Sequence, residues 1–290
     1  MIILANVQSL LPKIDECHAI LSIKRPDIFC VTESWLTEDI DSSLIDTRDY
    51  CICRNDRKLR RGGGTAIFIR NSVSYQHLCC NSIAENSNEF EITMLELCDY
   101  RMFVLCLYIP PSLNSVSLMS LEEWLLFEVD CLLVKKPTHH LVIVGDFNHF
   151  DVPQLCNDLD LSDLVTCPTR HNNVLDHILI SRDLNKIYDK SHVHYDSPIS
   201  TADHVMISVG PVHQNIHTYT KTFVPIYDFR PSHLSRLRQR IESMSWNDIC
   251  EESGSVSDRC LLLYQRLVDT VDEIIPKKMV TLSKKDKEWM

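Results

Sequence analysis

The sequence predicts an α/β layered fold, and three observations support this prediction. A strand, a helix and a second strand can be assigned in turn within residues 2–32. Further on, short continuous runs of β-branched and aliphatic residues, such as residues 141–144, are typical of strands that are buried on both faces. The chain has 290 residues, 44% of them hydrophobic, which is enough for one large domain with an appendage or for two domains.

The first strand, helix and second strand are predicted over residues 2–7, 12–24 and 27–32. Pro12 suits the first turn of the helix, where its missing N–H would have no partner in any case. Pro26 ends the helix, because proline disfavours helical backbone in the residue before it.

A polar and charged stretch over residues 38–61 is predicted to be a long surface loop, and a strand is predicted over residues 65–70. Three glycines at 62–64 precede that strand. Glycines can cradle a phosphate, but no Gly-Lys-Ser/Thr sequence follows, which excludes a P-loop. Close passage of the backbone beside the strand is the better interpretation.

Two strands over residues 89–97 and 101–108 are predicted to form a hairpin with its turn at Asp99 and Tyr100. The sequence Tyr108-Ile-Pro-Pro ends the second strand, because proline cannot donate to a strand ladder. A capping box at residues 120–123 predicts the start of a helix that extends to about residue 136.

The remaining strands are predicted over residues 141–144, 175–180, 192–195 and 204–209. The character of the chain changes after Pro211, where two helical segments follow. We therefore predict a main domain over residues 1–213 and a helical extension over residues 214–290.

Composition excludes several classes of protein. No apolar run approaches the roughly 20 residues that cross a bilayer, so no membrane partner is expected. The first residues lack a basic lead and do not form a signal peptide, so a nuclear or cytoplasmic location is expected. The thirteen cysteines match no zinc-binding spacing and are expected to be reduced thiols.

The charge is acidic overall but locally basic. The net charge is −11, and residues 1–215 hold 17 Lys and Arg against 29 Asp and Glu. That balance argues against a nucleic-acid partner, yet basic residues crowd one loop, where they could still contact phosphates. The members of this basic loop are Arg54, Arg57, Lys58, Arg60 and Arg61.

Polar side chains follow or end many of the predicted strands. Asp146 and Asn148 leave the strand over residues 141–144 two positions apart, and strand geometry points such residues the same way. A carboxylate beside an amide could hold a water and the phosphate that it attacks, although a Gly-Asp turn is an equal alternative for this pair alone. The full set is Asn6, Glu33, Tyr108, Asp146, Asn148, Asp176, Asp203 and His204.

The order of this set resembles the endonuclease/exonuclease/phosphatase superfamily, and more closely the endonuclease domain of non-LTR (LINE-type) retrotransposons. That family has an Asn in the first strand, a Glu after the second, a Tyr, a Gly-Asp-x-Asn segment, a late Asp and a terminal Asp-His. The sequences that carry the closer resemblance are Asn6-Val-Gln-Ser-Leu-Leu-Pro-Lys13, Pro26-Asp-Ile-Phe-Cys-Val-Thr-Glu-Ser-Trp-Leu36, Arg61-Gly-Gly-Gly-Thr-Ala-Ile-Phe-Ile69, Tyr108-Ile-Pro-Pro-Ser112, Val144-Gly-Asp-Phe-Asn148, Pro168-Thr-Arg170, Leu175-Asp-His-Ile-Leu179 and Asp203-His204.

The resemblance implies an α+β fold: a four-layer α/β sandwich of two packed mixed β-sheets flanked by helices, with the helical C-terminal extension as a connector. It implies a Mg²⁺-dependent DNA endonuclease that leaves a 3′-hydroxyl, with Mn²⁺ as a possible substitute and double-stranded DNA as substrate. A reverse transcriptase would follow the connector, but no Tyr/Phe-Ala-Asp-Asp motif occurs in this chain. A location in the nucleus is expected by analogy only.

The resemblance also assigns roles to residues. The catalytic set is Asp146, His204, Asp176, Asn148 and Tyr108. The metal-binding set is Glu33, Asp203 and Asn6. The DNA-binding set is Arg57, Lys58, Arg60, Arg61, Thr169 and Arg170.

Two departures from the family pattern stand out. Ala202 replaces the usual Ser before Asp-His, which removes a hydroxyl but no essential charge. Gln8 stands where abasic-site enzymes carry an acidic residue, which places abasic specificity in doubt. A phosphatase of the same superfamily and a catalytically inactive DNA-binding remnant remain as alternatives.

Overall fold

The computed structural model describes residues 1–58, 61–78, 89–212, 223–247 and 256–281. The chain forms two compact units, residues 1–214 and residues 215–290. The assignment of functions to two domains divided at residue 213 stays a prediction.

The first unit contains two mixed sheets of six strands each. The first sheet consists of β1 (Ile2–Asn6), β2 (Ile28–Thr32), β3 (Tyr50–Asn55), β4 (Thr65–Arg70), β11 (Val193–Asp196) and β12 (Met206–Val209), in the order β11-β12-β1-β2-β4-β3. The second sheet consists of β5 (Tyr75–Leu78), β6 (Glu91–Leu97), β7 (Met102–Tyr108), β8 (His140–Asp146), β9 (Leu161–Asp163) and β10 (Asp176–Ser181), in the order β5-β6-β7-β8-β10-β9.

Alternate residues of each central strand enter different hydrophobic clusters. In β8, Val142 and Val144 lie in the cluster between the two sheets, whereas Leu141 and Ile143 face the opposite side. This alternation explains the continuous apolar run in the sequence, because both faces of the strand are buried.

Helices cover the outer face of each sheet. Helix α1 (Ile14–Lys24) packs against the first sheet, and helices α2 (Ser115–Lys135) and α3 (Val152–Asp158) pack against the second. The layers are therefore helix, sheet, sheet and helices. The predicted four-layer α+β sandwich with two packed mixed sheets is confirmed.

The structure differs from the sequence prediction in several elements of this unit, and strands β5 and β9 were not predicted. Strand β3 lies inside the stretch that is predicted to be a loop. It is a short strand at the sheet edge, and the charged residues around its Cys-Ile-Cys core give the sequence the pattern of a loop. Helix α2 begins at Ser115 rather than at the capping box, since the side chain of Asn114 accepts a hydrogen bond from the backbone N–H of Ser117.

The second unit contains the predicted helices, α4 (Pro231–Glu242) and α5 (Val256–Ile274). It also has an antiparallel pair of strands, β13 (Phe223–Tyr227) and β14 (Lys277–Thr281), which was not predicted. The helical extension is confirmed. Within the described ranges of both units, no helix is long and apolar enough to span a bilayer.

Candidate active site

Strand pairing brings the predicted site residues to one edge of the two sheets. Parallel pairing of β1 with β2 sets Asn6 opposite Thr32, the residue before Glu33. In the second sheet, Asp146 is opposite Tyr108 on β7 and opposite Asp176 on β10. Residues far apart in the chain therefore meet at the strand ends.

Gly145 permits this close arrangement. A Cβ atom at this position would lie 1.8 Å from the carbonyl oxygen of Leu107 on the neighbouring strand. Only glycine lets the backbones of β7 and β8 pass this closely. The glycine thereby places Asp146 beside Tyr108.

The amide of Asn6 joins the two sheets at this edge. Its Nδ2 donates a 3.0 Å hydrogen bond to Glu33 Oε1 and a 2.9 Å hydrogen bond to Asp146 Oδ2. Asn6 and Asp146 are both 1% exposed, so this contact lies inside the protein. Two carboxylates are thus held next to each other by one amide donor.

Asn148 contacts the other oxygen of Asp146. Its Nδ2 donates to Asp146 Oδ1 at 2.9 Å and to the backbone carbonyl of Ile109 at 2.8 Å. The two side chains do lie together, but strand alternation is not the reason. Strand β8 ends at Asp146, and a left-handed backbone at Asn148, with φ of 46°, turns the amide back.

Left-handed backbone recurs around this edge at residues other than glycine. Gln8, Ser9, Glu33 and Trp35 also have positive φ, between 44° and 83°. Such conformations are uncommon for side chains with a Cβ and persist where surrounding contacts enforce them. They concentrate at functional sites, which supports the assignment of this edge.

Asp176 and His204 form a buried pair. His204 Nδ1 lies 2.7 Å from Asp176 Oδ2, and each side chain is 1% exposed. The other imidazole nitrogen, Nε2, lies 3.7 Å from Asp203 Oδ1. The carboxylate fixes the ring, which leaves Nε2 directed towards the site.

Thr169 holds both members of this pair in place. Its Oγ1 accepts hydrogen bonds from the backbone N–H groups of Leu175 and Asp176, at 3.0 and 3.1 Å. Its carbonyl oxygen accepts from the N–H of Val205, next to His204. Thr169 was predicted to bind DNA, but it is 1% exposed and its hydroxyl is used inside the protein.

Asp203 is held by two neighbours. Its Oδ1 accepts a 2.6 Å hydrogen bond from Gln8 Nε2, and its Oδ2 accepts from Arg170 Nε at 2.8 Å. Arg170 Nη2 lies 2.7 Å from the same Oδ2. Asp203 was predicted to be a metal ligand, and both of its oxygens are already hydrogen-bonded.

Burial and charge change the proton affinities of the site. Burial, with added repulsion from Asp176 and Glu33, raises the pKa of Asp146 to about 7. Burial alone would lower the pKa of His204, but the hydrogen bond and charge of Asp176 dominate and raise it. Burial and the negative charges of Glu33 and Asp146 raise the pKa of the Tyr108 phenol.

The donor set of this edge fits a divalent cation. One ligand atom from each of Asp146, Asp176 and His204 lies within 4.8 Å of the others. The second oxygen of Asp176, Oδ1, is buried and has no hydrogen-bond partner among the described residues. Mg²⁺ prefers oxygen ligands, so the carboxylates suit it better than the imidazole does. Of the predicted ligands, Asn6 donates hydrogen bonds both to Glu33 and to Asp146.

The predicted DNA-binding residues divide into two kinds. Lys58 and Arg61 are exposed; Lys58 Nζ lies 3.5 Å from Glu38, and the Arg61 guanidinium lies 5.6 Å from the centre of the Trp35 ring. The Arg57 side chain is only 8% exposed and is paired with Glu91. Arg60 lies outside the described residues.

Sequence reasoning missed three supporting contacts. Trp35 Nε1 donates to Glu33 Oε2 at 3.2 Å, Gln8 bonds to Asp203, and Glu91 accepts from Arg57. Trp35 and Gln8 are within two residues of predicted site residues, which was the available signal. No signal in the sequence pointed to Glu91, because it occupies an ordinary alternating position of its predicted strand.

A comparison with protein-family models gives one match. Residues 3–204 match the model of the Endonuclease/Exonuclease/phosphatase family. The chain belongs to this family. Endonuclease/exonuclease/phosphatase proteins are metal-dependent hydrolases, and the matched range contains every residue of the polar set described above.

Solved structures share the endonuclease/exonuclease/phosphatase fold. An AP endonuclease from Archaeoglobus fulgidus has a TM-score of 0.56 and 14% identity, covering 73% of this chain and 99% of that one. The 3′ phosphatase NExo from Neisseria, bound to a product DNA hairpin, has a TM-score of 0.54 and 16% identity, covering 72% and 98%. The endonuclease domain of TRAS1, a telomere-specific non-LTR retrotransposon, has a TM-score of 0.51 and 14% identity, covering 72% and 96%. No curated protein matches the sequence.

Proposed function

We propose that this chain is a Mg²⁺-dependent DNA endonuclease that nicks DNA by hydrolysing a phosphodiester bond, leaving a 3′-hydroxyl and a 5′-phosphate. The observation that carries the proposal is the continuous polar network at the sheet edge. Asn6 links Glu33 to Asp146, and Asn148 bonds to the second oxygen of Asp146. A catalyst of phosphate hydrolysis needs such a buried, fixed set of donors and carboxylates.

Asp146 is the residue that orients or deprotonates the attacking water. Its oxygens are fixed by Asn6 and Asn148, which prevents the carboxylate from rotating. A pKa near 7 is close to the value that suits a general base at neutral pH. Asn148 also bonds to the carbonyl of Ile109, so the amide itself is held in one orientation.

His204 and Tyr108 donate to the phosphate. Asp176 holds the imidazole through Nδ1 and favours its charged form, so that Nε2–H is available to a phosphate oxygen. The raised pKa of Tyr108 keeps its phenol protonated as a second donor. Both groups supply positive charge or hydrogen bonds where negative charge develops.

Glu33 is the residue that would hold the metal, with Asn6 bonded to its Oε1. Asp203 is a further candidate, although Gln8 and Arg170 already bind its oxygens. A bound divalent cation would neutralise phosphate charge and acidify a water. Mn²⁺ is an alternative to Mg²⁺, because both accept oxygen ligands.

Lys58, Arg60, Arg61 and Arg170 are the proposed contacts to the DNA backbone. Lys58 and Arg61 are exposed, and cations that contact phosphates gain affinity by releasing counterions from the DNA, even on an acidic domain. TRAS1 and the AP endonuclease are named as endonucleases, and the NExo structure contains DNA, which supports a DNA substrate.

A plasmid-nicking assay tests the proposal. We expect the parent chain to convert supercoiled DNA to open circles in Mg²⁺ and to lose this activity in EDTA. Asp146→Ala and His204→Ala should each lower the rate by at least about 100-fold. Lys186 is exposed, so the Lys186→Ala variant is the control and should nick DNA at the parental rate. Nicking by Asp146→Ala at the parental rate would contradict the proposal.

A phosphatase activity is the second candidate, because one structural neighbour is described as a 3′ phosphatase. The same polar network could hydrolyse a terminal phosphate. The two functions are separated by giving the protein a DNA hairpin with a 3′-phosphate beside the supercoiled plasmid. Release of phosphate without nicking would favour the phosphatase.

We infer a role in target-primed retrotransposition, and the sequence phrases that resemble LINE-type elements support it. In that setting the second unit would be a connector to a reverse transcriptase, and the protein would act in the nucleus. A catalytically inactive DNA-binding remnant is the remaining alternative. The complete polar set argues against it, because random loss would soon remove one member.

A further inference from the structure

Arg57 and Glu91 form an ion pair inside the protein. Arg57 Nη2 donates to Glu91 Oε2 at 2.8 Å, and Nε donates to Oε1 at 2.5 Å. The side chains are 8% and 2% exposed, respectively. A bidentate pair of this kind fixes both the position and the plane of the guanidinium.

The guanidinium is fixed above the Tyr108 ring. Glu91 on β6 is directly opposite Tyr108 on β7, and the Arg57 Cζ atom lies 5.3 Å from the ring centre. This distance is within the range of a cation–π contact. Arg57 also opposes the rise in the pKa of the Tyr108 phenol that burial, Glu33 and Asp146 cause.

The same pair fixes the glycine segment 62–64. The N–H of Gly64 donates to Glu91 Oε2 at 3.2 Å. A Cβ at Gly63 would lie 2.4 Å from Arg57 Cζ, so the segment passes directly over the guanidinium. A Cβ at Gly64 would lie 2.5 Å from Ser34 Oγ.

The glycine segment in turn holds the backbone next to Glu33. The carbonyl oxygen of Gly63 accepts from the N–H of Trp35 at 3.0 Å, and that of Gly64 accepts from the N–H of Ser34 at 3.3 Å. These bonds support the left-handed turn that begins at Glu33. The Arg57–Glu91 pair therefore contacts the Tyr108 ring on the second sheet. It also contacts the glycine segment that hydrogen-bonds to the residues after Glu33, at the end of a strand of the first sheet.

We propose that Arg57 and Glu91 are positioning residues that set the Tyr108 phenol and the Glu33 carboxylate relative to each other. The inference rests on the proposed phosphodiesterase function. It gives Arg57 a different role from that of Lys58 and Arg61, because its guanidinium is committed to Glu91. Arg57 acts on the rate of the chemical step rather than on DNA affinity.

Steady-state nicking kinetics of Arg57→Lys test the inference, because lysine keeps the charge but loses the bidentate geometry. We expect kcat to fall about 10- to 100-fold, as displaced groups at a site reduce rate, while KM for DNA stays within about 2-fold. The exposed pair Arg182 and Asp160 provides the matched control, and Arg182→Lys should change neither constant. A rise in KM with kcat unchanged would show a DNA contact and overturn the inference.

A double-mutant cycle separates positioning from general damage to the fold. The loss caused by Arg57→Lys should be smaller in the Tyr108→Phe background, because the phenol that it positions is absent. Equal losses in both backgrounds would contradict the inference. Glu91→Gln, which keeps an acceptor for Gly64 N–H, is the second variant and should reproduce the effect of Arg57→Lys.

Fluorine NMR of fluorotyrosine-labelled protein gives a readout that needs no activity. The Tyr108 signal is identified by its loss in Tyr108→Phe. We expect it to shift and broaden in Arg57→Lys and Glu91→Gln, and to stay in place in Arg182→Lys. If no variant or parent nicks DNA but the signal moves, the proposed function fails and the positioning stands. An unmoved signal would overturn the positioning itself.

Discussion

At the scale of the residue, the site is defined by what each polar atom contacts. Asp146 receives hydrogen bonds from Asn6 and Asn148, and His204 is bonded to Asp176. Asp146, Asp176 and His204 are buried, which makes a charge on any of them costly without a partner. The network therefore has to be complete to be stable, and a missing partner should be measurable in both stability and rate.

The pKa of Asp146 predicts a pH dependence of stability. The folded pKa is about 7 against an ordinary value of 3.8, so the folded protein keeps a proton that the unfolded chain has released. The free energy of unfolding should fall as pH rises through this interval, by at most about 4 kcal/mol. Urea unfolding in EDTA at about pH 5 and pH 8 measures this. Asp146→Asn should show a smaller fall, and parallel changes in both proteins would contradict the prediction.

The hydroxyl of Thr169 should be needed for both folding and rate. Thr169→Val leaves the partly buried N–H of Leu175 and the buried N–H of Asp176 without their acceptor, which should lower the free energy of unfolding by about 2 kcal/mol. Because Asp176 would be displaced with its His204 partner, the nicking rate should fall as well. Thr169→Ser keeps the hydroxyl and should restore most of both quantities. No recovery by serine would show that the methyl group, not the hydroxyl, matters.

At the scale of the element, strand ends and the turns after them create the site. Parallel pairs β1–β2 and β7–β8 end at the same edge, and each is followed by an irregular segment that carries a functional side chain. The glycine segment 62–64 was predicted to provide close backbone passage, and the contacts of Gly63 and Gly64 confirm this. The strand ends place part of the site, and the turns after them place Glu33 and Asn148.

The close approach of β7 and β8 predicts a strong effect at Gly145. A methyl group in Gly145→Ala would collide with the carbonyl of Leu107, so the strands must separate. We expect a loss of about 3 kcal/mol or more in stability, measured by urea unfolding. Gly210→Ala is the control, because no atom of the described part of the chain lies within 4 Å of its added Cβ. Equal stability of the two variants would contradict the assigned role.

At the scale of the whole molecule, an acidic chain carries a local basic surface. The net charge of −11 disfavours DNA, but Lys58 and Arg61 are exposed, and the Arg61 guanidinium lies over Trp35, which bonds to Glu33. Local cations contact phosphates directly, whereas distant charges are screened by salt. DNA binding, if it occurs at this edge, depends on a few residues rather than on the net charge.

The salt dependence of DNA affinity tests this division. Lys58→Ala and Arg61→Ala should each lower the slope of log K against log salt by about 1, as expected for the loss of one phosphate contact. Arg57→Lys and the exposed Lys186→Ala should leave the slope unchanged. Filter binding over a series of salt concentrations, in the absence of Mg²⁺ turnover, measures the slopes. A slope that is the same in all variants would show that this surface does not contact DNA.

The sequence by itself determined the layered fold and the polar residues at the strand ends. Continuous apolar runs and the residues that end them are local features, so they can be read from the chain. The sequence did not predict strand β3, because this short edge strand is flanked by charged residues that are typical of a loop.

Only the tertiary structure decided which of these residues contact each other and which already have a hydrogen-bond or ion-pair partner inside the protein. Asn6 and Asp146 lie 140 positions apart and touch through strand pairing and sheet packing. In the sequence, Arg57 resembles the other basic residues of its loop. In the structure, its ion pair with Glu91, 34 positions away, holds its side chain inside the protein. Such contacts depend on long-range packing, which no local pattern encodes.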